Sequence, residues 1–193
     1  MATNQERARE TESAILKAAL KLGLAQGVDC ISVRDVCREA GVSIGSFYHH
    51  FSSRQELIHR AFQMFDDTLR DSLPAHAAHP PLEALTEILL RQTEFVMTEG
   101  GFAVTDYYKA ILNDPGHSAV SPNRAYYKAV VACVGRAAAA NLFTVKLSDP
   151  EIAELCIQFV RGCIVDWCLH GQSYDVLEHV RTSLAVLLRG LTA

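Results

Sequence analysis

The sequence predicts an all-α fold, with a small N-terminal helical module followed by a larger helical domain. Apolar residues recur at three- and four-residue spacing along most of the chain, the period of a helix buried on one face. Boxes of the form Ser/Thr-x-x-Glu stand at Thr3–Glu6, Ser53–Glu56 and Ser148–Glu151. Each can satisfy backbone amides that a helix start leaves orphaned. Between the first two boxes, the stretch SVRDVCREAGVSIGSFYHHFSSRQE (residues 32–56) holds two short helical patterns joined by a glycine. Two helices joined by a short glycine-containing turn make a helix-turn-helix, whose second helix enters the major groove.

The elements follow in order. The first helix opens at Thr3-Asn4-Gln5-Glu6, buries Ile15, Ala18, Ala19, Leu22 and Ala25, and stops at Gly27. The second places Val33, Val36 and Cys37 on one face and ends at Ala40-Gly41, where glycine suits the left-handed residue that stops a helix. Ser43 caps the third, whose Phe47 and Phe51 share a side at i, i+4 and form core. A fourth starts at Ser53 and runs through Leu57, Ala61, Met64, Phe65 and Leu69 to about Leu73. His76 to Pro81 is a break, and the helix beyond it carries Leu85, Ile88, Leu89, Phe95 and Val96 to Gly100-Gly101. A short aromatic helix over Phe102 to Leu112 meets the turn Asn113-Asp114-Pro115-Gly116. Ser121-Pro122 starts another, through Tyr127, Val130, Val131, Val134 and Ala138. The box at Ser148 opens a helix reaching Gly171, and Asp175 caps the last, which runs to about Arg189. The total is about nine helices, divided into domains at residues 1–54 and 55–193.

Bulk properties narrow the function. A hydrophobic fraction of 49% and a charged fraction of 21% over 193 residues are those of a soluble globular protein. No apolar run reaches bilayer-spanning length and the N-terminus is polar, so the expected compartment is the cytoplasm, with no membrane partner. The net charge is −4; residues 1–60 carry eight Lys/Arg against seven Asp/Glu, and the remainder ten against fifteen. That balance argues against a general DNA-coating protein and for a specific reader using helix N-termini and a few placed cations. Six cysteines include no Cys-x-x-Cys pair. Cys156 and Cys163 lie ~10 Å apart along one helix, beyond disulfide reach, so reduced core thiols are expected. His76 and His79 sit in the proline break without a third ligand, so no metal is expected. The absence of a phosphate loop, a Gly-x-Ser-x-Gly elbow or a metal triad argues against an enzyme and against a cofactor.

The order Ser32-Val33-Arg34-Asp35-Val36, Ala40-Gly41-Val42-Ser43-Ile44-Gly45-Ser46-Phe47-Tyr48-His49-His50-Phe51, Ser53-Arg54-Gln55-Glu56-Leu57 closely resembles the tetracycline-repressor (TetR) family of transcription regulators. The resemblance covers about residues 9–60, with Ile44 standing where the family often has Lys or Arg and Cys37 where it usually has Ala. The N-terminal residues of a groove-reading helix approach DNA, which makes Ser43, Ile44, Gly45, Ser46, Tyr48 and His49 the candidates. The resemblance implies that Tyr48 holds a phosphate and that His49 sits at the DNA surface. Arg54, Ser32 and Arg34 are the candidate backbone clamps. It also implies a homodimeric repressor released from a near-palindromic double-stranded operator by a small-molecule effector. The alternative is a helix-turn-helix regulator with no ligand, constitutive or controlled by a partner.

In the larger domain, Leu177, Val180, Leu184, Leu187 and Leu191 repeat as a heptad seam on the last helix. Beside the helix from Asp149 to Gly171, this seam resembles the family's dimer interface; packing inside its own subunit is the other reading. Candidate effector contacts are Phe102, Tyr107, Tyr108, Tyr126, Tyr127, Asp166 and Trp167, since pockets are mostly apolar with a few polar groups. On a 3.6-residue wheel Asp166 and His170 fall inside the stripe of Ile152, Leu155, Cys156, Phe159, Val160, Cys163 and Trp167. A buried carboxylate needs a partner, either His170, a group across the subunit boundary, or an effector.

Overall fold

Helix starts are where the sequence speaks most directly, and the computed structural model of the chain shows how each is satisfied. It describes residues 3–26, 31–54, 56–57, 60, 66, 69, 78–100, 103–112 and 120–192. Thr3 accepts from the Glu6 amide at 3.2 Å while Glu6 accepts from the Thr3 amide at 2.6 Å, a reciprocal box that opens α1 (Asn4–Gln26). Ser32 and Asp35 form the same device at α2 (Val33–Ala40), and Asp35 also accepts from Arg38 at 2.6 Å. Gly41 then turns left-handed at φ 68°, its amide directed at the Arg38 carbonyl, while the Val42 amide donates to the Cys37 carbonyl at 3.0 Å. A β-carbon is disfavoured at that φ, which is why glycine ends the helix there. Ser43 caps α3 (Ile44–His50), accepting from the Ser46 amide at 3.0 Å. Beyond it, Arg54, Glu56, Leu57 and Arg60 are helical, as are Asp66 and Leu69.

The later elements are α4 (Pro81–Phe95), continued by a π-helical turn (Val96–Gly100), α5 (Ala103–Leu112), α6 (Ala125–Ala139), α7 (Asp149–Leu169) and α8 (Val176–Thr192). Among the described residues no strand occurs, and no helix is long and apolar enough to cross a membrane. The expected total of about nine helices is not established, because the segments at 70–77 and 113–119 lie outside the described residues. Gly27, Cys30, His76 and the turn at 113–116 lie outside them too.

The chain divides into two compact units, one of residues 1–64 and 96–114, the other of residues 65–95 and 115–193. In the first, α2 packs on α1 and on α3, and α1 also meets the π turn and α5. Its core joins Ile15, Leu16, Ala18 and Leu20 to Ile31, Val36, Cys37, Phe47, Phe51 and Leu57. Leu16 and Leu20 extend the expected α1 stripe, whereas Ala25 is exposed because the burying face has turned away by the last turn of the helix. Lys21–Glu39 pairs α1 with α2, and Arg60 donates to Glu12 through Nε at 3.2 Å and Nη2 at 2.8 Å. In the second unit, α4 packs on α6, α7 and α8, and α7 lies between α6 and α8.

Several boundaries differ from expectation for local reasons. Ser121 does not open α6 directly. Its carbonyl accepts from the Arg124 amide at 3.2 Å in a separate turn, and the helix begins at Ala125. The π turn after Phe95 had no sequence signal, since one inserted residue leaves the apolar spacing nearly unchanged. At the end of α7, Gly171 and Gln172 both adopt positive φ, 61° and 59°, and reverse the chain into α8. Ser148 donates to Glu151 from its amide at 2.8 Å and its hydroxyl at 2.6 Å, and Asp175 accepts from the Glu178 amide at 3.0 Å, as their positions predict.

Hydrogen bonds from Ser32, chiefly from its hydroxyl, hold the Asp35 carboxyl below its ordinary value of 3.8, and those from Ser148 hold Glu151 below 4.5. A carboxyl depressed in the native state stabilises it fully above the unfolded-state value, and loses that contribution as pH falls through the native one. The stability difference between wild type and Glu151→Gln is therefore expected to be largest near neutral pH and to shrink as the pH drops below 4.5, in urea unfolding followed across an acid titration.

Candidate functional site

α3 is seven residues long, too short to be stable as an isolated helix, so its orientation is set by what it buries. Phe47 is 0% and Phe51 1% exposed, with ring centroids 5.6 Å apart. With that side held inward, Ile44 and Tyr48 project outward at 43% and 56% exposure. Ser43, Gly45 and His49 are exposed beside them and Ser46 is half-buried. Among the described residues, a β-carbon at Gly45 would meet only the Ser43 hydroxyl oxygen, at 3.8 Å, so local crowding does not require glycine there. The Cys37 thiol lies 3.8 Å from the Ser43 carbonyl oxygen and ties α2 to the start of α3.

The candidate clamps differ in what is left to them. Arg34 is exposed, and Arg54 is half-buried in the first turn after Ser53, whose hydroxyl accepts from the Glu56 amide at 3.1 Å. The Glu56 carboxylate accepts from the Ser52 amide at 2.7 Å, so the box expected at Ser53–Glu56 draws in Ser52. The Ser32 hydroxyl donates to Asp35 at 2.6 Å, which commits its hydrogen within the chain. What this face offers is therefore hydroxyl, imidazole, phenol and guanidinium groups on a rigid backbone, together with the first amides of α3.

The candidate effector residues separate. Tyr126 and Tyr127 line a cleft of about 170 Å³ together with Ser121, Arg124, Ile157 and Arg161. Trp167 is buried, and its indole N–H donates to the Tyr174 carbonyl at 2.8 Å, fixing the loop between α7 and α8. Asp166 is not buried as the wheel suggested; its side chain is 52% exposed. It accepts from the Tyr174 hydroxyl at 2.9 Å, and the His170 Nδ1 lies 3.4 Å from its carboxylate. The stripe ends before this last turn, so helical spacing overstated burial there. Tyr108 is half-buried in the other compact unit; Phe102 and the Tyr107 side chain lie outside the described residues.

On α8, Val180 and Leu184 are 0% and Leu191 4% exposed, packed within their own chain, while Leu177 and Leu187 are half-buried. The apolar groups this region leaves open are others: Leu169 at 79% and Val186 at 58% exposure, with Leu155 and Phe159 half-buried on α7. His79 bonds Glu87 at 2.9 Å, and no group of three potential metal ligands occurs among the described residues. Burial pushes the Cys37, Cys133 and Cys163 thiols up and takes Cys156 to about 11, which keeps them protonated and unreactive.

Sequence spacing missed the bond between Arg124 and Asp66. Arg124 donates from Nε to Oδ2 at 3.0 Å and from Nη2 to Oδ1 at 3.1 Å, with the two side chains 17% and 9% exposed. The available signal was a carboxylate set among the apolar Phe65 and Leu69.

A short helix with its aromatic side anchored and its polar side presented, reached through a glycine turn, defines a helix-turn-helix DNA-binding protein. Comparison with known proteins takes this further. Residues 15–61 match the family of bacterial regulatory proteins, tetR family. The HTH-type transcriptional regulator AcrR of Shigella flexneri is 25% identical over 96% of this chain and 91% of that protein. The HTH-type transcriptional repressor KstR2 of Mycolicibacterium smegmatis is 31% identical over 42% of this chain and 41% of that protein. The crystal structure of the regulator FadR from Bacillus subtilis in complex with stearoyl-CoA superposes with a TM-score of 0.63 at 14% identity, covering 91% of this chain and 96% of that one. Residues 15–61 thus carry the N-terminal domain of tetR-family regulators, and the chain as a whole is similar to transcriptional regulators of that family.

The division of labour on α3 has a direct consequence. Phe47→Ala is expected to destabilise the protein by about 3–5 kcal/mol, whereas Tyr48→Ala is expected to stay within about 0.5 kcal/mol of wild type. Chemical denaturation of the two variants checks both.

Proposed function

We propose that the protein is a homodimeric repressor that grips a near-palindromic operator and releases it when a small molecule binds. The observation that carries the reading is the outward face of α3, where Ile44, Tyr48 and His49 stand exposed over a buried Phe47. Residues 1–54 read the DNA in this proposal, and residues 55–193 hold the effector and the partner subunit. Ser43, Gly45 and Ser46 approach the groove; Tyr48, Arg34 and Arg54 hold phosphates, while Ser32, whose hydroxyl hydrogen is committed to Asp35, serves by fixing the start of α2; His49 lies at the DNA surface. DNA as the partner places the protein in the cytoplasm.

Two reading heads on one turn of the duplex, or a multiple, require a two-fold partner. The outward apolar side chains Leu155, Phe159 and Leu169 on α7 and Val186 on α8 support a bundle of α7 and α8 with their counterparts. Val180, Leu184 and Leu191 back it from inside the subunit. For the effector, the cleft at Tyr126 and Tyr127 is the supporting feature, and the FadR structure is a fold relative that holds a ligand.

Selection of the purified protein on random duplex DNA is expected to enrich an inverted repeat, and Tyr48→Ala to weaken binding to it by about 10- to 100-fold with the dimer intact. Failure of a folded dimer to enrich any site would sink the operator reading. Val186→Arg is expected to shift the protein towards monomer in sedimentation velocity and to weaken operator binding with it; a dimer of unchanged strength would place the interface elsewhere.

A further inference from the structure

The cleft at the start of α6 carries charged groups that DNA reading does not use. Its walls come from the turn before α6 (Val120, Ser121, Arg124), the first turn of α6 (Tyr126, Tyr127), and one side of α7 (Glu154, Ile157, Gln158, Arg161). Arg124 occupies the N-cap position of this 15-residue helix and makes no side-chain capping bond to it. Two guanidinium groups, Arg124 and half-buried Arg161, line the same small space.

We propose that this cleft is the effector site and that its ligand is a small monocarboxylate, which competes with Asp66 for the Arg124 guanidinium. The inference rests on the effector-controlled reading above. A planar carboxylate matches the fork of an arginine with two parallel hydrogen bonds, and Arg124 already shows that geometry toward Asp66. Arg161 supplies a second cation. Glu154 in the same wall opposes a second negative charge, which favours a monoanion over a phosphate or a dicarboxylate. Val120, Ile157 and the tyrosine rings offer apolar contact to the rest of the ligand, and about 170 Å³ admits only a small one.

The same arginine makes the site a switch. Asp66 is only 6% exposed, so a ligand that draws Arg124 away leaves a buried carboxylate without its counter-charge. That state is disfavoured unless the helical turn holding Asp66 moves. Asp66 stands close along the chain to Arg60, which is bonded to Glu12 of the DNA-reading unit. Any operator-bound state that needs Asp66 paired must then weaken the ligand, by reciprocity of coupling.

The test uses the full-length protein, hexanoate and benzoate as probes, and hexanamide and benzamide as their neutral counterparts. Titration calorimetry gives binding, and operator affinity with and without probe gives coupling. At least one acid is expected to bind while its amide does not. Arg161→Gln is expected to weaken the acid about tenfold with the fold unchanged, as loss of one charge-assisted contact predicts. Asp66→Asn, which removes the competitor, is expected to bind the acid as tightly as wild type or several-fold tighter and yet to lose its effect on operator affinity. An amide that binds as well as its acid, an Arg161→Gln protein with wild-type affinity, or an Asp66→Asn protein with full coupling overturns the inference. If neither acid binds but another compound displaces the operator, this inference falls and effector control stands. If no compound of a broad panel alters operator affinity, effector control itself fails. Should Asp66→Asn not fold, the half-buried Arg161→Gln and the acid–amide comparison still decide the matter.

Discussion

The contact on which the reading head depends is the burial of Phe47 and Phe51 against the core that α1 supplies. A two-turn helix has almost no stability of its own, because nucleation consumes what its few hydrogen bonds provide. Burying one large aromatic side chain contributes about 1.5–3 kcal/mol, and α3 with its C-cap residue buries two, Phe47 and Phe51, with centroids 5.6 Å apart. The caps on either side then fix the remaining freedom: Gly41 sets the angle of departure from α2, and Ser43 sets the first amide of α3. Once these are in place the outward face is determined, since rotating α3 to expose a phenylalanine would bury Tyr48 or Ile44. The outward presentation of Ile44, Tyr48 and His49 is thus a by-product of apolar packing on the opposite side.

The second unit solves a different problem. It is an apolar helical assembly in which one carboxylate among the described residues, Asp66, is buried, and the Arg124 fork is what makes that tolerable. Replacing such a pair by apolar residues is often neutral or stabilising, whereas breaking it by removing one partner costs about 3–5 kcal/mol. A pair of this kind is weak as a source of stability and strong as a constraint: it permits one arrangement of residue 66 against the start of α6 and penalises its neighbours in conformational space. The same turn that positions Arg124 also prevents α6 from beginning at Ser121, and so opens the cleft.

What could be read from the sequence follows the range of the interaction involved. The boxes at Thr3–Glu6 and Ser148–Glu151, the stop at Gly41, and the inward pair Phe47 and Phe51 are all encoded within four residues, and all appear where their spacing puts them. The heptad on α8 showed which face is apolar but not what covers it. Val180, Leu184 and Leu191 are covered by their own chain, and no periodicity distinguishes that from cover by a partner. Asp166 was misjudged because a wheel treats every turn as equally deep, while a helix end emerges from the core. The Asp66–Arg124 bond joins residues 58 apart, so the one local signal, a carboxylate among apolar neighbours, could mark Asp66 but not name its partner.

A net charge of −4 opposes contact with a polyanion, and the resolution lies in how little of the surface has to make it. The acidic excess sits beyond residue 60, and within the first 60 residues the acidic groups near the reading helices are largely engaged. Asp35 is held by Ser32 and Arg38, Glu39 by Lys21, Glu12 by Arg60, and Glu6 by the first amide of α1. Each of these carboxylates caps a helix or ties one helix to the next, so its charge is spent inside the module. What the module leaves exposed is the start of α3, Arg34 and the neutral polar face around Tyr48, the groups assigned to DNA in the proposed reading. Weak long-range attraction with well-placed short-range contacts lowers nonspecific affinity more than specific affinity, because counterion release dominates the first and groove contacts contribute only to the second. A mildly acidic chain with a locally neutralised head is therefore suited to finding one sequence among many.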